Sequence, residues 1–134
     1  MSLYHKLTLG AAGLTALGIG LAITFVPHGF YAGYGIALGA DPTRLSELRA
    51  PGANLAALGA VILTGALRPA LTYLSAMLGT LVFFAFAFGR LVSIALDGWP
   101  SESILTALMI ELGFGALCLF GLRRQRRAPR PVAM

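Results

Sequence analysis

Charge is what this chain has least of. Asp, Glu, Lys and Arg make up 11% of its 134 residues, against roughly 25% in soluble domains. Apolar residues reach 57% and the mean hydropathy is +0.82, which excludes an ordinary water-soluble fold. The length leaves no room for a separate soluble domain beside a membrane bundle. Cysteine is reduced to Cys118, inside an apolar run, so no internal disulfide forms. The two histidines, His5 and His28, lie at opposite ends of the first apolar run and cannot face each other across a haem. No Cys/His cluster has metal-ligand spacing, so neither metal nor cofactor is expected. The glycines from Gly29 to Gly39 follow no strand, which leaves a phosphate loop unsupported. Ser93 has no nearby histidine in sequence to make it a nucleophile.

What is present is four long apolar segments. They run from about 7 to 26, 50 to 67, 69 to 96 and 104 to 122. The first is too long for a signal-peptide core, lacks a convincing cleavage site after it, and reads as a retained span. The fold class expected is all-α: an integral membrane four-helix bundle over residues 1–122, followed by a basic tail, 123–134. Between the first two spans, Phe30, Tyr31 and Tyr34 stand among glycines. Rings with one polar tip favour the headgroup level, so a turn or short helix along the membrane surface is expected there. Asp41 to Arg49 reads as a charged turn leading into span two; Asp41-Pro42 starts the second helix, with Asp41 or Thr43 as its N-cap. Gly13, Gly18 and Gly20 in span one, and Gly52, Ala56 and Gly59 in span two, permit close helix approach within the bundle or in a homodimer.

Nine of the ten basic residues are arginine, and five of them (Arg123, Arg124, Arg126, Arg127 and Arg130) form the tail. A basic tail after the last span is a topology signal and a lipid-headgroup contact, and no platform for nucleic acid accompanies it. Lys6, Arg68 and the tail fall on one side of four alternating spans. The positive-inside rule then places both termini in the cytoplasm of a bacterial inner membrane.

Glu111 is the anomaly. It interrupts the run Ile104–Leu122, otherwise uncharged, whose 19 residues span about 28 Å of a bilayer core about 30 Å thick. An acid near mid-bilayer costs about 2.5–3.5 kcal/mol on insertion scales, so it needs a partner, a proton or a polar cavity. Its short side chain cannot snorkel to water. Arg90, Ser93 and Asp97 share one face of span three, and Glu47 and Asn54 share one face of span two beside Arg49. Through the short link between spans three and four, Arg90 lies about 10 Å below Asp97 and Glu111 about 13 Å below Glu102. A desolvated guanidinium–carboxylate pair is therefore expected. A pair that only sets helix register is as consistent with these residues as a working site.

These residues also carry a family resemblance. Ser46-Glu47-Leu48-Arg49-Ala50, Gly89-Arg90-Leu91-Val92-Ser93, Asp97-Gly98-Trp99-Pro100 and Glu111-Leu112 resemble the bacterial family called domain of unknown function 4345. The likeness covers roughly residues 5 to 122. It implies a small four-helix membrane protein and supplies no reaction.

The function expected is non-catalytic. Glu47, Arg49, Asn54, Arg90, Ser93, Asp97 and Glu111 form a polar cluster that binds an anionic lipid or small amphipathic ligand, or braces the bundle for a membrane-complex partner. Arg49 and Arg90 would hold an anionic headgroup, balanced by the three acids. Two alternatives come from other classes: a proton- or solute-translocating module centred on Glu111, and a membrane enzyme using Glu or Asp on a lipid-like substrate.

Overall fold

The computed structural model describes residues 2–127, with side chains through 125. Among these residues there is no strand. The helices are α1 (Leu3–Phe25), the short α2 (Pro27–Ala32), α3 (Pro42–Leu67), α4 (Thr72–Asp97) and α5 (Glu102–Arg127). A single 3-10 turn, Pro69–Leu71, leads into α4. Four segments are long and apolar enough to cross a bilayer: α1, α3, α4 with its preceding turn, and α5. Their outward faces carry Leu14, Leu81, Phe88, Met109 and Phe120 exposed, as lipid contact demands and water would penalise.

The second helix starts at Asp41-Pro42, as the capping residues in the sequence suggested, so the charged stretch before the second apolar run forms the first two turns of α3. The Asp41 side chain accepts from Thr43 N at 3.2 Å, and Pro42 occupies the first helical turn. A capped start with proline at N1 forms a helix regardless of the charges that follow. At the other end α5 continues through Arg127, so the first four basic residues of the tail are helical. The rest of that tail, Arg130 included, lies outside the described residues.

The chain packs as two helical hairpins. In the first, α1 lies against α3 with backbones nearly touching. A Cβ on Gly13 would meet the backbone of Leu63; one on Gly20, the backbone of Ala56; one on Gly59, that of Ala16 and Leu17. Gly13 and Gly20 are seven apart, as are Gly52 and Gly59, so each pair lies on one helix face. Not every small residue serves this contact: a Cβ on Gly18 would meet nothing within 4 Å. In the second hairpin, α4 packs on α5 through Gly79 against Cys118 and Gly115 against Phe84. The loop between them begins at Gly98, whose φ of +96° suits a residue without a side chain and stops α4 there.

The hairpins are bound to each other unevenly. Ser75, fully buried on α4, donates to Val61 O at 3.0 Å, and Thr72 donates to Gly65 O at 2.9 Å, fastening α4 to α3. At the same end, buried His5 of α1 hydrogen-bonds through Nε2 to Gly121 O of α5 at 3.0 Å, with Ser2 Oγ 2.6 Å from Nδ1. Tyr4 donates to Leu117 O beside it. A carbonyl oxygen can only accept, so Nε2 carries the proton. His5→Ala is expected to lower stability by about 1 kcal/mol, read as a drop of a few degrees in the melting temperature of detergent-solubilised protein. An unchanged melting curve would show that this staple does not hold the hairpins.

Candidate functional site

At the opposite end, toward Asp97, the hairpins separate and leave between them a half-open cavity of about 740 Å³. That volume lies within the range of roughly 300–1,000 Å³ typical of small-molecule sites. Ala16, Ile19 and Ile23 of α1 form one wall, and Phe83, Phe86 and Ile94 of α4 another. From α5 come Ile104, Ala107 and Ile110. The cavity extends along α4 from Ile94 to Phe83, eleven residues or about 16 Å.

Its polar feature is the expected ion pair. Arg90 Nε donates to both oxygens of Glu111, at 2.9 Å to Oε1 and 2.8 Å to Oε2. Both residues line the cavity. The Glu111 side chain is 11% exposed and that of Arg90 26%, so the arginine is the more accessible partner. The contact geometry matters. A fork-to-fork pair uses two guanidinium nitrogens, whereas here one N–H is shared between both oxygens. Among the described residues the two Nη groups of Arg90 have no protein acceptor.

The structure brings together only part of the predicted cluster. Arg90, Ser93 and Glu111 line the cavity; Glu47, Arg49, Asn54 and Asp97 do not. Glu47 and Asn54 lie exposed on α3. Asp97, also exposed, accepts from Ser93 Oγ at 3.0 Å. Arg49 reaches in another direction, donating through Nη1 to Thr24 O at 2.5 Å. It thereby satisfies a carbonyl at the C-terminal end of α1, where a cation also suits the helix dipole. Charge from two helices, rather than three, meets in the cavity.

Sequence reasoning missed the roof. Phe30, Tyr31 and Tyr34, read only as membrane-surface residues, turn their rings onto the cavity. The rings pack on one another, with centroids 5.1 Å apart for Phe30–Tyr31 and 5.3 Å for Phe30–Tyr34. Three hydrogen bonds hold the segment down. His28 Nε2 lies 2.6 Å from Gly39 O, Arg44 donates to Leu38 O at 3.1 Å, and Ser103 of α5 donates to Gly33 O at 3.3 Å. Burial pushes the Tyr31 phenol up from its ordinary pKa and the nearby Tyr34 adds to this, while Arg90 opposes it. Tyr31 is therefore a neutral hydroxyl at physiological pH, lining the same cavity as Arg90. The available signal was three aromatics within five residues, immediately after a span.

No group of three or more His, Cys, Asp or Glu among the described residues is arranged to hold a metal ion.

The fold and cavity define an all-helical protein of four apolar, membrane-length helices with a paired charge set into its interior. The chain belongs to the family described as domain of unknown function (DUF4345), which matches residues 4–122. No curated protein and no solved structure matches it.

Proposed function

We propose that this protein is a non-catalytic, multi-pass inner-membrane protein that binds a small amphipathic molecule in the cavity between its hairpins. The observation that supports this reading is one cavity with apolar walls, a polar pair partway down and an aromatic roof. An amphiphile matches it part for part: its tail lies along Phe83 and Ile19, its head at Arg90 and Tyr31. Both Glu111 oxygens already accept from Arg90, which favours binding over proton transfer by this carboxylate. The distribution of basic residues supports a cytoplasmic location for the Arg123 end. On that reading the cavity lies toward the opposite leaflet.

Filling the cavity tests the idea. Gly89 lines it, and a Cβ there meets nothing within 4 Å, so Gly89→Phe sets a ring at the cavity from an unobstructed Cβ. Protein extracted in mild detergent and measured by native mass spectrometry is expected to carry a co-purifying amphiphile, and Gly89→Phe to lose most of it while remaining folded. Equal adduct content in both proteins would sink the proposal.

A further inference from the structure

The chemistry around Arg90 points to the class of head group, and this inference rests on the binding reading above. We infer that the cavity takes an amphiphile with an uncharged hydrogen-bond-accepting head, an ester or ring carbonyl, rather than the anion that two arginines in the sequence suggested.

Three observations carry this. First, among the described residues the charged side chains lining the cavity are Arg90 and Glu111 alone, so its net charge is zero. Arg49, the second cation expected to hold an anion, is committed to Thr24 O. Second, Glu111 sits at 2.8–2.9 Å from Arg90 Nε. An anion placed on the Nη groups would lie within a few ångströms of that carboxylate, in surroundings too apolar to screen the repulsion. Third, unspent donors face the cavity: among the described residues Arg90 gives only its Nε hydrogen to Glu111, its Nη hydrogens have no protein acceptor, and the Tyr31 hydroxyl lines the same space.

A neutral carbonyl satisfies this arrangement. It accepts from an Nη group without adding charge, and it leaves the Arg90–Glu111 pair intact. A cation would instead be drawn to Glu111 and repelled by the guanidinium beside it, gaining little. The tail then runs between Phe83, Phe86 and Ile19. A carbonyl of this kind is found both in acyl esters and in lipid-soluble quinones, and the probes below separate the two.

The test is a ranking of amphiphiles that share a ten-carbon chain and differ in their heads. Methyl decanoate, a decyl-substituted benzoquinone, decanoate and decyltrimethylammonium are titrated at pH 8 against the full-length protein in detergent, with Gly89→Phe as the blocked control. The ester or the quinone is expected to bind about tenfold more tightly than either ion, and whichever of the two leads identifies the source. In Glu111→Gln, where Arg90 loses its counter-charge, decanoate is expected to overtake the ester. Decanoate or the ammonium compound binding as tightly as both neutral probes in the wild-type protein would overturn the head-group inference and leave the binding reading standing. No probe bound above the Gly89→Phe level would overturn the binding reading itself. The wild-type ranking decides the matter whether or not Glu111→Gln accumulates.

Discussion

Gly59→Val is expected to abolish accumulation of folded protein, a greater loss than breaking the buried ion pair would cause. A Cβ at Gly59 falls on the backbone of Ala16 and Leu17, and backbone cannot swing aside as a long side chain does. Overpacking of a core against side chains costs typically about 1–3 kcal/mol. Here α1 and α3 would have to move apart along their length, forfeiting the contacts at Gly13 and Gly20 as well. The bilayer supplies no hydrophobic drive to compensate, because lipid tails are as apolar as the helices. Size-exclusion chromatography of a fluorescent fusion reads the result directly. Gly113→Val is the control: its Cβ meets nothing within 4 Å, and it is expected to elute as a single peak like the wild type. If the two variants elute alike, α1 and α3 do not approach as described.

Arg90→Met is expected to destabilise the protein by about 3–5 kcal/mol, the usual cost of leaving a buried charge without its partner. Among the described residues, buried Glu111 accepts from no side chain other than Arg90. Arg90→Met/Glu111→Leu removes both charges and keeps roughly the same volume, so it is expected to recover most of the loss. Thermal unfolding in detergent measures all three proteins. The double variant separates architecture from function: it is expected to be stable and yet to lose the preference for carbonyl heads, since the Nη donors are gone. A double variant as unstable as Arg90→Met would show that the pair holds the bundle together. One that keeps the head-group ranking would remove Arg90 from the site.

Glu111 declared itself, because an acid inside a 19-residue apolar run has few ways to be satisfied. Arg90 followed from depth along the helix, since the connection from Asp97 to Glu102 is too short to let α4 and α5 slip. Arg49 resembles a site cation in the sequence because its partner, the Thr24 carbonyl, is a backbone atom 25 residues away. Every residue has a carbonyl, so no side-chain pattern marks the one at a helix end. Glu47 and Asn54 do share a face of α3, as their spacing required. Helical periodicity assigns residues to a face and leaves open whether that face meets a neighbour or lipid.

The aromatic roof escaped for a related reason. Tyr31 and Tyr34 have the amphipathic rings expected at a membrane surface, and one preference accommodates both a headgroup contact and a lid. The direction in which they turn depends on His28 reaching Gly39 and Ser103 reaching Gly33, contacts across loops of free geometry.

By itself the sequence determined four apolar helices of membrane length, the need of Glu111 for a partner, and the residue in reach to serve as one. These follow from hydropathy and helical rise, which act along the chain. The cavity was decided only in three dimensions. It exists because the hairpins are fastened at the His5 and Ser75 end and part at the Asp97 end, a balance of contacts between segments far apart in sequence. Its net neutrality depends on Arg49 being drawn away to the end of α1, where a carbonyl without a helical donor outcompetes a distant ligand.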